Sequence, residues 1–190
     1  KMSKVFVGHK LHRKSAGQVD PAVLKNKIVA IYFSAHWCPP CRKFTPQLGE
    51  IYDQTKSDLE IVFISCDRSE EDAESYFASQ SDYLMLEFGD PLSDTLAQKY
   101  GAKGIPALIV IQDDGEVLSS DGRGDIGSKN AGAVAEWKKS WKGDTWAGLG
   151  QGQTLGGGGG AAAPAAAVED ERARRLRAIE ARMAAAKAPE

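Results

Sequence analysis

The sequence predicts an α/β domain, with helices covering a mixed sheet, followed by a tail of different character. Three observations lead there. Strand-like and helix-like patterns alternate along the first ~145 residues. The apolar run Ile28-Val29-Ala30-Ile31-Tyr32-Phe33 leads into a segment whose apolar residues Phe44, Leu48, Ile51 and Tyr52 fall at i, i+4, i+7 and i+8. With 42% hydrophobic residues over 190 positions, the chain can fill one core and have residues left over.

Taken in order, Val5-Phe6-Val7 reads as an edge strand, and Asp20-Pro21-Ala22-Val23-Leu24 as a helical turn with Asp at the N-cap and Pro at the first position. The strand at 28–34 is followed by a helix from about Cys41 to Lys56, in which Pro46 should produce a kink by removing one backbone bond. Glu60 to Cys66 is apolar and β-branched, hence a strand. Ser69-Glu70-Glu71-Asp72 has the form of an N-cap with acids in the first turn, leading a helix through Phe77. Leu92 to Tyr100 is a short helix. Ala107 to Ile111 and Val117 to Ser119 flank the turn signal Asp113-Asp114-Gly115. Ala131 to Trp141 closes the domain as a helix that buries Val134, Trp137 and Trp141.

The chemistry concentrates where the strand at 28–34 meets the next helix, at Trp37-Cys38-Pro39-Pro40-Cys41-Arg42. A helix N-terminus offers unpaired N–H groups and the positive end of the dipole, which favour a thiolate on the first cysteine. The second, three residues on, can close a small disulfide ring. Cys38 is therefore expected to be the nucleophile and Cys41 the resolving thiol. The competing use of such a pair is half of a zinc site. That would need four ligands, and only Cys66, His36, His9 and His12 remain, so no metal is expected and no cofactor either. Three cysteines, two of them in this motif, suit a reducing compartment better than a disulfide framework. Cys66 reads as a buried strand residue, with a regulatory role as the alternative.

The chain resembles the thioredoxin superfamily, and within it the nucleoredoxin and tryparedoxin group. Trp37-Cys38-Pro39-Pro40-Cys41-Arg42 is similar to the active-site motif of that group, and Phe33-Ser34-Ala35-His36 is closer to nucleoredoxins than to tryparedoxins. Val62-Phe63-Ile64-Ser65-Cys66-Asp67-Arg68 resembles another strand end of the group, and Gly104-Ile105-Pro106-Ala107-Leu108 stands in the place of its cis-proline loop. The matching segments keep the family's order over roughly residues 4–142. The resemblance implies a thioredoxin-like fold and a thiol-disulfide oxidoreductase that reduces protein disulfides. It implies that Pro106 is cis, that the Ile105 backbone pairs with an incoming peptide, and that Trp37 covers the site with a flat apolar surface. Pro39 and Pro40 would stiffen the loop. Arg42 is read as a substrate contact or as a solvated helix charge, and His36 either adds positive charge near Cys38 or points elsewhere. Where many thioredoxins carry a buried carboxylate this chain has Tyr32, leaving Asp67 as a guess for the proton acceptor of Cys41. The upstream reductant, whether thioredoxin reductase, glutathione or trypanothione, is not specified by any residue.

Past the domain assigned to 1–146, residues 147–167 are mostly Gly and Ala, with Gly156 to Gly160 consecutive, as in a flexible linker. Residues 168–190 then place acids before arginines among alanines, as a helix prefers. Arg172, Ala178, Ile179 and Arg182 are similar to a motif that docks an Arg-rich helix on a AAA+ ATPase, with Ile179 where alanine is usual. A protein partner for this helix is the expectation, and an anchored interaction module is the alternative to the enzyme. The net charge of −2 argues against nucleic acid or membrane-surface binding. No apolar run reaches 18 residues, and Lys1-Met2-Ser3-Lys4 shows no secretory pattern. A cytoplasmic location is expected, with a nuclear or flagellar pool as the alternative.

Overall fold

The computed structural model describes residues 5–112 and 114–142. The linker at 147–167 and the expected helix at 168–190 lie outside the described residues, as does Asp113 in the turn.

A seven-stranded sheet runs in the order β2-β1-β5-β4-β3-β6-β7. Its strands are β1 (Leu11–Arg13), β2 (Gly17–Val19), β3 (Ile28–Ser34), β4 (Leu59–Ser65), β5 (Leu84–Leu86), β6 (Ala107–Ile111) and β7 (Val117–Ser119). The central β3 pairs parallel with β4 and antiparallel with β6. β4 continues parallel to β5, while the outer β1–β2 and β6–β7 pairs are antiparallel. The helices are α1 (Pro39–Thr55), α2 (Glu70–Ala78), α3 (Leu92–Tyr100), α4 (Gly122–Lys129) and α5 (Gly132–Ser140), with a 3-10 turn at Pro21–Leu24.

Side chains of β3 alternate between two cores because successive residues point to opposite faces. Ile28, Ala30 and Tyr32 join Phe44, Leu48 and Ile51 of α1, Phe77 of α2 and Trp137 of α5. Val29, Ile31 and Phe33 join Leu24, Leu96 of α3 and Ile109 on the other face. All seven β3 residues are buried, which explains why the strand reads as an unbroken apolar run rather than an alternating one. Each such large apolar side chain contributes roughly 1.5–3 kcal/mol.

The helix starts follow their caps. The carboxylate of Asp20 accepts the Ala22 N–H at 2.7 Å, and the hydroxyl of Ser69 accepts the Asp72 N–H at 3.2 Å. α1 begins two residues earlier than expected, because Cys38 itself takes the N-cap and Pro39 the first helical position. Pro46 lies inside α1, which runs on through it.

Three expectations are corrected, and one element is added. Val5-Phe6-Val7 is a turn, not a strand: the Phe6 carbonyl accepts the His9 N–H at 3.1 Å, Gly8 takes φ +85°, and only Phe6 is buried. The edge is the β1–β2 hairpin instead. Cys66 lies one residue past β4 and is half-buried. The last helix ends at Ser140, so Trp141 caps it and packs half-buried against the core. Finally, α4 fills a stretch without an expected element; its Gly122 sits so close to β6 that an added Cβ would lie 2.9 Å from Val110 Cγ2 and 3.0 Å from the Leu108 carbonyl oxygen. Among the described residues no helix is long and apolar enough to cross a membrane.

Candidate active site

The site forms where the C-terminal ends of β3 and β4 meet the loop before β6. Parallel pairing sets β3 and β4 in register up to Ser34 opposite Ser65, so their following loops leave the sheet side by side. Those loops are tied together. The Cys66 N–H donates to the Ser34 carbonyl at 2.8 Å. Asp67 accepts the His36 N–H at 2.8 Å through one carboxylate oxygen and the Ser65 hydroxyl at 2.8 Å through the other. Asp67 thus holds the loop, and both of its oxygens are engaged away from the sulfurs.

Cys38 and Cys41 are joined in a disulfide with their Cα atoms 5.2 Å apart. Cys38 Sγ accepts the Cys41 N–H at 3.4 Å, so the sulfur occupies the position of an N-cap acceptor. The same geometry would hold a thiolate against the positive end of α1. Of the two, Cys38 is 4% exposed and Cys41 fully buried. Any attacking group therefore reaches Cys38 first.

The Ile105–Pro106 peptide is cis, and the Ile105 carbonyl oxygen lies 3.8 Å from Cys38 Sγ. Ile105 and Cys66 pack against a small buried cluster of Ala35, Cys38 and Cys41. Trp37 is 54% exposed, its Nε1 donating to the Cys66 carbonyl at 3.1 Å and the Arg68 guanidinium 5.9 Å above its ring. Pro39 and Pro40 are exposed on the first turn of α1. Cys38, Cys41, Trp37 and Ile105 thus come together with Pro106 next in the chain. Arg42 stands apart, lining a cavity on the α2 side together with His36. The His36 ring packs on Tyr76, their centres 5.4 Å apart.

Beneath the dithiol runs a buried network of hydroxyls that the sequence did not announce. Thr45 donates to the Cys41 carbonyl at 3.0 Å and lies 2.8 Å from the Tyr32 hydroxyl and 2.6 Å from that of Tyr76. Tyr76 in turn lies 3.4 Å from Ser34 Oγ. This hydrogen-bonded set contains no carboxylate. Burial pushes the Tyr32 phenol up to about 12, so it stays neutral across the physiological range. Burial also pushes the Cys66 thiol up, with the neighbouring Asp67 charge acting in the same direction. Thr45 follows Cys41 by one helical turn, a spacing that could have flagged it. Tyr76 gives no such local signal.

Comparison with known proteins agrees with this arrangement. A family model described as thioredoxin-like matches residues 26–117. The chain is 42% identical over 113 residues to probable nucleoredoxin 1 of Arabidopsis thaliana, a match covering 58% of this chain and 19% of that protein. The chain thus spans about a fifth of the length of that relative. Tryparedoxin of Trypanosoma brucei brucei is 36% identical over 126 residues, covering 64% of this chain and 87% of that one. A solved tryparedoxin structure from Trypanosoma brucei superposes with a TM-score of 0.66 at 35% identity, over 72% of this chain and 96% of that one. With the fold, the paired cysteines and nearly the whole of a tryparedoxin matched, this chain belongs to the thioredoxin-like family, in its nucleoredoxin and tryparedoxin group.

Proposed function

We propose that this chain reduces protein disulfides by cycling the Cys38–Cys41 pair between dithiol and disulfide. One observation carries the reading: Cys38 Sγ sits at the N-cap of α1, bonded to the Cys41 N–H, with Cys41 buried behind it. In the reduced chain the Cys38 thiolate attacks one sulfur of a substrate disulfide, expelling the other as a thiolate and leaving a mixed disulfide. Cys41 then loses its proton and attacks Cys38 Sγ. The second substrate sulfur leaves as a thiolate, and the Cys38–Cys41 disulfide remains. Two electrons pass from the dithiol to the substrate, and the two product thiolates take up protons.

Trp37, Ile105 and Pro106 form the surface a client meets, with the Ile105 backbone available to an extended segment. Pro39 and Pro40 stiffen the first turn, and Arg42 borders the site from the other side. An upstream reductant must restore the dithiol, and thioredoxin reductase, glutathione and trypanothione each have the right chemistry. A cytoplasmic setting fits a chain whose third cysteine is unpaired.

Reduction of insulin by dithiothreitol tests the proposal. The chain should accelerate it, Cys38→Ser should abolish the acceleration, and Cys41→Ser should accumulate mixed disulfides with clients. A folded wild-type chain with free thiols and no acceleration would sink the reading.

A further inference from the structure

The chain carries a net charge of −2, yet each of the three segments that enclose Cys38 brings exposed cations. Arg42 and Lys43 follow Cys41 on α1 and line cavities on its two sides, Arg42 towards α2 and Lys43 beside Pro40. Arg68, in the loop after β4, holds its guanidinium 5.9 Å above the Trp37 ring. Lys103 stands two residues before Ile105, in the loop that carries the cis-proline. None of the four joins an ion pair among the described residues. Away from the site, Arg13 on β1 and Lys138 and Lys139 on α5 are all paired. The acids nearby leave the four unpaired. Asp67, next to Arg68, directs its oxygens to the His36 N–H and the Ser65 hydroxyl. Asp94 of α3 acts on Cys66, and Glu70, Glu71 and Asp72 sit on the first turn of α2, where the helix dipole favours them. One exposed cation is an ordinary solvated charge. Several around the sulfur that a client must reach steer anionic groups to it and repel cationic ones. Screening limits that reach to about 8 Å at physiological salt, which is about two residues of extended chain.

We propose that this cationic rim selects protein clients whose disulfide lies in an acidic segment, with Asp or Glu within about two residues of the attacked cysteine. The inference rests on the reductase reading above and adds the class of client, with Arg68 and Lys103 as the residues that set it.

The probes are three versions of one peptide disulfide in which acidic, basic or uncharged residues flank the attacked cysteine. Each is mixed with the pre-reduced full chain in a single turnover, and its rate is scaled to that of dithiothreitol with the same peptide. The acidic version should react about ten-fold faster than the basic one at an ionic strength of about 10 mM. The preference should fade towards about 1 M, where the screening length falls to about 3 Å. Arg68→Glu with Lys103→Glu should remove or invert it. Lys25→Glu with Lys56→Glu makes the same change in net charge on exposed residues at the other end of β3 and α1, and should leave it in place. Rates with the uncharged peptide show that both variants are folded. Equal wild-type rates for acidic and basic peptides, or an equal loss of preference in both variants, would overturn the proposal and leave the reductase reading standing. Reduction of none of the three peptides would overturn both.

Discussion

Two buried polar networks cross the same core, and they differ in one respect: charge. At the sheet end away from the cysteines, Glu60 is 1% exposed and accepts from Arg13 at 2.7 Å and from the Tyr52 hydroxyl at 2.9 Å, with Lys27 Nζ at 3.6 Å. Under the dithiol the corresponding network is Tyr32, Thr45, Tyr76 and Ser34, hydroxyls throughout. The charged network joins β1, α1 and β4, fixing a strand only three residues long that links the edge strand β2 to β5. The uncharged one supports the turn of α1 that carries Cys41. A buried carboxylate there would act on any titrating sulfur nearby, whereas neutral hydroxyls hold the backbone without adding a charge beneath Cys41.

The sharpest way to break this contrast is Arg13→Met. It leaves the Glu60 carboxylate buried with only the more distant Lys27 as a counter-charge, and should cost about 3 kcal/mol in urea unfolding. Adding Glu60→Leu should recover much of that loss, since the cost comes from the stranded charge. If the double variant is no more stable than the single one, the edge depends on the Arg13 geometry rather than on charge balance. On the uncharged side, Thr45→Val removes the group shared by Tyr32, Tyr76 and the Cys41 carbonyl. It should cost about 2 kcal/mol, with a smaller loss for Tyr76→Phe.

A third measurement treats both networks alike. Burial pushes Tyr32 and Tyr52, one in each, up to about 12 from an ordinary 10. The folded chain then holds these protons more tightly than the unfolded chain. The stability they add is complete below pH about 10 and is lost as pH rises towards 12. By pH 11 each should account for about 1 kcal/mol of lost stability, and Tyr32→Phe and Tyr52→Phe should each remove one share from the alkaline unfolding curve. The smallest effect is kinetic. With the chain reduced at neutral pH, iodoacetamide should label Cys38 well before Cys66, and Cys66 should gain only as pH climbs past its raised thiol pKa. Equal rates at neutral pH would mean that the N-cap position gives Cys38 no more thiolate than Cys66 has, despite the raised Cys66 thiol.

How much of this the sequence showed depends on where the determining contacts lie. β3 and α1 were readable because an apolar run, a proline pair and helical spacing are local signals. The β1–β2 hairpin and β5 were not, since strands of three residues carry too little pattern and form by pairing with partners far along the chain. Gly122-Arg123-Gly124-Asp125-Ile126-Gly127 contains three poor helix formers, yet α4 forms there, capped by Asp121 and held by buried Ile126. The cysteine pair declared itself by spacing. The hydroxyls beneath it did not, because Tyr76 reaches Thr45 from α2, 31 residues further along the chain. Cys66 looked like strand interior because apolar composition does not mark where pairing stops.

Gly122 gives one more consequence, about which substitutions the chain can accept. With Val110 Cγ2 and the Leu108 carbonyl already within 3.0 Å of where a Cβ would stand, even alanine has no room there. The strand it would push on starts one residue after Pro106. In a saturation scan scored on disulfide reduction, this surface helix should therefore hold a position nearly as intolerant as the cysteines themselves. Its intolerance would come from shape alone, and only a substitution on β6 that frees space, such as Val110→Ala, could relieve part of it.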